Sequence, residues 1–82
     1  MATYRIWLVD APGRTIESKS VRHRVDAAAR EALRVIDAVS EASGAVHQRQ
    51  HHVAAHAVRN WSGKGEVVAL IDGRHEIHLF RG

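Results

Sequence analysis

Apolar and polar positions along the chain predict strands at both ends and helices between them. Residues 4–9 are aromatic or branched without a breaker and predict a strand, which a turn at 11–14 joins to a second strand at 15–24. The second strand is polar, a composition typical of a sheet edge. Alternation places Tyr4, Ile6 and Leu8 on one face of the first strand and Arg5, Trp7 and Val9 on the other.

Helical spacing follows in the middle of the chain. Asp26 can cap a first helix by accepting free amide protons, and Gly44 suits the left-handed position after its end. The buried face of this helix carries Ala29, Leu33, Ile36, Val39 and Ser43, flanked by Ala32 and Val35. A second helix is predicted over residues 46–61, with Val46, Val53, Ala54, Ala57 and Trp61 on one side and Gln48, Arg49, His52, His56 and Arg59 opposite.

The last stretch predicts a second hairpin. Strands at 66–71 and 74–80 flank Asp72 and Gly73, a strong signal for a two-residue loop. With that loop, one shared face carries Val68, Leu70, Ile77 and Leu79, and the other Val67, Ala69, Glu76 and His78. The element order predicts one α+β domain over residues 1–82, two-layered, ordered β-hairpin–helix–helix–β-hairpin, with a four-stranded, mostly antiparallel sheet.

Composition narrows the functional classes. The 82 residues include no cysteine, which excludes a disulfide scaffold, thiolate catalysis and thiolate zinc sites. There is no apolar run long enough for a membrane span and no signal-peptide pattern, so we expect a cytoplasmic protein without membrane contacts. Nucleophile-elbow and phosphate-loop motifs are absent, and a thin domain encloses little volume. We therefore expect neither enzymatic activity nor a cofactor.

Seven histidines raise the question of a metal site. Two pairs have the i,i+4 spacing that places both imidazoles on one helix face: His47 with His51, and His52 with His56. Because no carboxylate lies between residues 41 and 66, a third ligand would come from elsewhere, such as His75 or His78. We expect solvated or interface histidines rather than a metal site, with a pH-dependent charge as a further role.

Charge is distributed in blocks within a net charge of +3. Residues 45–65 contain three cations and no acidic residue, and two more arginines close the second strand. Together with two helix histidines they form the candidate partner-binding set: Arg22, Arg24, Arg49, His52, His56, Arg59 and Lys64. Such residues bind acidic protein surfaces or nucleic-acid phosphates, although Trp7 alone is placed to stack a base. An apolar outer sheet face would also suit a homodimer.

A polar strand followed by an alanine-rich helix, Val25-Asp26-Ala27-Ala28-Ala29-Arg30, spans residues 14–44. With the apolar hairpin downstream, this design resembles the small phage-encoded anti-CRISPR proteins. The resemblance implies a non-enzymatic inhibitor in the host cytoplasm that binds a bacterial CRISPR effector complex. It would block target-DNA recognition or cleavage by steric and electrostatic occlusion.

The net charge of +3 departs from the acidic, DNA-mimicking members of that family. An arginine-rich surface would instead pair with an acidic patch of the effector, or occupy a surface that the effector needs for a conformational change. The alternative is a small nucleic-acid-binding or antitoxin-like regulator.

Overall fold

The computed structural model describes residues 2–10, 13–22, 24–43 and 48–82. The elements are, in chain order, β1 (Thr3–Asp10), β2 (Arg14–Arg22), α1 (Val25–Ser43), α2 (Gln48–Arg59), β3 (Glu66–Leu70) and β4 (His75–Arg81). The strands form one antiparallel sheet in the order β2-β1-β4-β3. The predicted α+β class, element order and four-stranded sheet are confirmed.

Both helices cover the same face of the sheet. The two central strands contribute side chains such as Ile6 and Ile77, which are almost completely buried. Above them, α1 packs on β1, and α2 packs on β3 and against α1. Ala28 and Ala32 have no exposed surface, because their small side chains let α1 approach the sheet while Ile36 fills the core. No helix of the described residues lies over the opposite sheet face.

Strand β2 is the polar edge strand that its composition predicts. The register with β1 shifts between Leu8 and Val9, so that Ile16 has no partner opposite it and is about half exposed. Lys19 stands on the helix-covered face, where its ammonium group donates a 2.7 Å hydrogen bond to Glu31 of α1. A bulge and an inward-pointing charge are features that discourage pairing with another strand.

The Lys19–Glu31 pair makes stability depend on pH. The hydrogen bond from Lys19, supported by the charge of Arg34, holds the pKa of Glu31 below its usual 4.5. Because the folded pKa is the lower one, this contribution is present above pH 4.5 and is lost as the pH falls through the folded value. Glu31→Gln should lower the free energy of unfolding at pH 7 by about 0.5–1 kcal/mol, and should flatten its decline towards pH 3.

Urea unfolding at pH 7 and pH 3 measures both effects. Glu17→Gln is the matched control, because Glu17 lies 3.2 Å from the same ammonium group but is 43% exposed. We expect the control to keep the acid-dependent loss of stability. An equal response of the two variants would contradict the assignment of that loss to Glu31.

The start of α1 differs from the prediction. The second strand ends at Arg22 rather than at residue 24, and the helix begins at Val25. The amide of Ala28 donates to the carbonyl of Arg24, so Arg24 occupies the capping position predicted for Asp26. The Asp26 carboxylate lies within the first turn, where it receives two hydrogen bonds from the Arg24 guanidinium, of 3.0 and 3.1 Å, and one from the amide of Ala27, which together hold its pKa below the usual value. The predicted cap at Gly44 lies outside the described residues.

The register predicted for the second hairpin is wrong by one residue. The amide of Ile71 donates to the carbonyl of His75 at 2.9 Å, which leaves three loop residues between them instead of two. Val67 is therefore opposite Leu79, and Ala69 opposite Ile77. The odd loop length reverses the faces of β3, because side chains alternate along a strand. The core-facing residues of β3 are Val67 and Ala69, and the outer-facing ones are Val68 and Leu70.

Candidate interaction surface

Four exposed side chains form a stripe along α2. Arg49, His52, His56 and Arg59 follow one another at spacings of three, four and three residues, which places them on one side of a helix. The stripe spans three turns, or about 15 Å at 1.5 Å per residue. No acidic residue occurs between residues 41 and 66 to offset its charge. We call these four residues the α2 stripe.

The buried side of α2 fixes the orientation of the stripe. Ala54, Ala55 and Val58 are buried, whereas Val53, which the sequence predicts for this side, is 63% exposed. The short alanines allow close packing against the rest of the domain, so the helix is rotated from the predicted position. The predicted start of this helix, at Val46, lies outside the described residues.

Two side chains fix the end of α2: the amide of Asn60 and the indole ring of Trp61. The His56 carbonyl accepts one hydrogen bond from the backbone amide of Asn60 at 3.1 Å and a second from its side-chain nitrogen at 2.8 Å. Trp61 is buried, packs edge-to-face on Tyr4 with ring centroids 5.5 Å apart, and donates from its indole nitrogen to the Lys64 carbonyl at 3.1 Å. These contacts therefore fix the position of the last turn of α2, which carries one end of the stripe.

Gly63 allows the loop after α2 to pack closely against α1. Its φ of +91° is rarely adopted by other residues, and a Cβ at this position would lie 3.2 Å from Cγ2 of Val25. Gly63→Ala should lower the free energy of unfolding by about 1–3 kcal/mol. Chemical denaturation measures the change.

Gly65→Ala is the control for that substitution. Gly65 has a φ of +70°, but no atom lies within 4 Å of a Cβ added there, so the variant reports backbone strain without crowding. We expect the smaller loss from Gly65→Ala. A loss as large as that from Gly63→Ala would show that the contact with Val25 contributes nothing.

Ion pairing separates the predicted site residues into two groups. In the described part of the chain, no ion pair is formed by Arg49, Arg59 or Lys64. Arg24, by contrast, is paired with Asp26. The unpaired cations can bind an external anion without breaking an internal contact, whereas Arg24 cannot.

The structure brings some of the predicted residues together and separates another. Lys64 follows the end of α2, in a loop whose Gly63 contacts Val25, so Lys64, Arg24 and the last turn of α2 lie at the same end of the molecule. Arg22 lies on β2, at the sheet edge farthest from β3 and α2. It is not part of the α2 stripe.

The uncovered sheet face carries an aromatic pair, Trp7 and Phe80, of which the sequence pattern predicted only Trp7. Trp7 and Phe80 contact each other edge-to-face with centroids 5.0 Å apart, and both are half-buried. Arg5 stands opposite Phe80 in the register of β1 and β4. The alternation of β4 could have identified Phe80, because it places this residue on the face opposite to Leu79.

Histidine geometry gives α2 a structural link to α1. His51 lies 3.2 Å from Asp37 of α1 through Nε2, and its ring stacks on that of His52 with centroids 5.6 Å apart. Within the residues that the structure describes, no three histidine, aspartate or glutamate side chains are grouped to hold a metal ion. His47 lies outside them.

Comparisons with protein-family models, curated proteins and solved structures return no match for this chain. No helix in the described ranges is long and apolar enough to cross a membrane.

Proposed function

We propose that this chain is a non-enzymatic binding protein that docks its α2 stripe on an acidic surface of a protein partner and blocks that surface. The observation that supports the proposal is the stripe itself, in which exposed basic side chains lie on a helix without acidic residues. Such a surface steers association with an acidic partner and restricts the choice of partner. The firm packing of α2 on the sheet presents the stripe in one orientation.

The resemblance of residues 14–44 to small phage-encoded anti-CRISPR proteins suggests a bacterial CRISPR effector complex as the partner. The nucleic-acid channel of such a complex is positively charged, so a cationic stripe would be repelled from it. The stripe would bind an acidic surface outside the channel. Inhibition would then follow from occlusion of that surface or from restraint of a conformational change that target binding requires.

A regulator that binds nucleic acid directly is the second candidate. It is favoured by the uncovered sheet face, where Trp7 and Phe80 lie together and Arg5 is opposite Phe80. Single-stranded nucleic acids bind to sheets of this kind by stacking bases on aromatic rings and pairing phosphates with cations. Here the rings contact each other edge-to-face, which leaves less of each ring surface for stacking.

Target-DNA binding by purified CRISPR effector complexes tests the proposal. Each complex is incubated with the protein before a labelled target duplex is added, and the bound fraction is measured by gel shift. The proposal expects one complex to lose target binding at a stoichiometric ratio of the protein. Full target binding and cleavage by every complex tested would leave the effector hypothesis without support.

A further inference from the structure

The two edge strands of the sheet differ in how well they are protected against pairing with another strand. β2 carries a bulge and an inward-pointing lysine, whereas β3 is a short apolar strand, Glu-Val-Val-Ala-Leu, without a lysine, a proline or a register shift. A groove of about 470 Å³ runs between α2 and the free edge of β3. Three of the four exposed large apolar side chains in the described ranges line it, namely Val53, Val68 and Leu70. We call this the edge groove.

The backbone of β3 also presents hydrogen-bonding groups to the edge groove. The bond from the Ile71 amide to the His75 carbonyl fixes which residues pair with β4. Because bonded and non-bonded pairs alternate in an antiparallel ladder, residues 67 and 69 direct their polar backbone groups towards β4. The N–H and C=O groups of Glu66, Val68 and Leu70 consequently point away from the sheet. Unpaired groups of this kind form a template for another strand.

We propose that the edge groove is a dimerisation site in which β3 pairs antiparallel with β3 of a second copy, around a two-fold axis at Val68. In this register Val68 faces Val68 of the other copy, and Glu66 faces its Leu70. Every outward N–H and C=O of Glu66, Val68 and Leu70 then acquires a backbone partner. The sheets of the two copies become continuous, and Val53 and Leu70 are removed from water.

Charge complementarity favours a second copy over an unrelated strand. Leu70 and Arg49 line the same groove, so the two-fold axis, which sets Glu66 opposite Leu70, brings Glu66 of one copy to the groove that Arg49 of the other lines. Glu66 and Arg49 form no ion pair within the described part of their own chain. The dimer therefore supplies an opposite charge for each of them, and does so twice because the interface is symmetric.

Mass measurement and amide exchange together test the pairing. Light scattering over about 1–100 μM, the range of moderate affinities, should show a particle of twice the 9.1 kDa chain mass. In the dimer, the amides of Glu66, Val68 and Leu70 should exchange slowly with deuterated water, and dilution to monomer should restore fast exchange. The amides of Val67 and Ala69 should stay protected throughout, because they bond to β4.

Matched substitutions locate the interface. Val68→Lys should raise the dimer dissociation constant by about tenfold or more, whereas Ile16→Lys, which adds the same charge to the opposite sheet edge, should leave it unchanged. Glu66→Arg should weaken the dimer, and combining it with Arg49→Glu should restore it. A monomer at 100 μM, or a dimer whose residues 66, 68 and 70 exchange fast, would overturn the proposal. The exchange experiment uses the unaltered chain, so the test stands even if a variant folds poorly.

Discussion

Charge reversal of Arg49 and Arg59 together should weaken binding to the protein partner by about 100-fold or more, equivalent to at least about 2.7 kcal/mol. Both side chains are exposed and unpaired among the described residues, so the loss would come from the interface rather than from the fold. Reversal acts more strongly than removal because it replaces attraction with repulsion. Titration of the partner into wild type and Arg49→Glu/Arg59→Glu, monitored by anisotropy, measures the difference.

The matched control exchanges two arginines on the other helix. Arg30→Glu/Arg34→Glu changes the net charge by the same amount, at positions 71% and 76% exposed on α1. We expect this control to bind the partner within about threefold of wild type, a difference of roughly 0.6 kcal/mol. Equal losses in the two double variants would show that total charge, and not the α2 stripe, governs binding. Light scattering on both variants separates a loss of binding from a change in dimerisation through Arg49.

Removal of the Asp72 carboxylate should destabilise the fold more than any surface substitution considered above. Asp72 is 4% exposed, and its Oδ1 accepts hydrogen bonds from the amides of Arg74 and His75 at 2.7 and 2.8 Å. The ring of His75 lies 3.0 Å from both carboxylate oxygens. Asp72→Ala leaves these partly buried donors without an acceptor and should lower the free energy of unfolding by about 2–4 kcal/mol. The midpoint of thermal unfolding should fall by about 10–25 °C.

Asp72→Asn serves as the conservative comparison for that substitution. Its carbonyl oxygen can still accept the two amide hydrogen bonds, but it lacks the negative charge that strengthens them. We expect this variant to lose about half as much stability as Asp72→Ala, which thermal unfolding followed by circular dichroism would measure. If both variants had the same midpoint of thermal unfolding as the wild type, the carboxylate would not be responsible for the three-residue form of the loop.

The same loop explains why one part of the fold was predictable and another was not. Asp72 and Gly73 identify the hairpin correctly, since this pair favours tight turns. The sequence does not reveal that the Asp72 side chain bonds the backbone two and three residues ahead, which lengthens the loop by one residue. That single residue decides whether Val68 or Val67 faces the core. Both residues are valines, so the hydrophobic pattern of β3 does not distinguish the two registers.

The candidate surface was likewise predictable only in part. The exposed positions of the α2 stripe follow from helical periodicity, because charged residues and histidines cluster on one side of the wheel. The exposure of Val53 does not follow from it, since it depends on where α2 lies relative to the free edge of β3. The separation of Arg22 from the stripe likewise depends on strand order, which places β2 and β3 at opposite edges. Neither fact is encoded in local spacing.

Dimerisation through β3 would change how the α2 stripe meets a partner. Each copy carries one stripe, and the continuous sheet would hold two stripes in a fixed relation. A partner with two acidic surfaces at the matching distance would then be bound more tightly than by one copy, since the second contact is intramolecular. Val68→Lys should remove this gain and leave one stripe per molecule, with Arg49 released from Glu66 of the second copy, and a titration of partner against dimer and variant would measure the loss.

The most direct test of a stripe that binds protein sets the chain against two kinds of partner. The chain has no cysteine, so Ser18→Cys on β2 accepts a single fluorophore away from α2, and its anisotropy is measured with CRISPR effector complexes at about 50 and 200 mM salt, where counterion release is visible. Because Ser18 lies opposite Trp7 on the uncovered sheet face, the unaltered chain is titrated into labelled DNA and labelled RNA at the same two salt concentrations. We predict a rise with an effector complex at both salt concentrations, and none with free nucleic acid. A rise with DNA or RNA alone that collapses at the higher salt would contradict the account and identify a nucleic-acid-binding regulator.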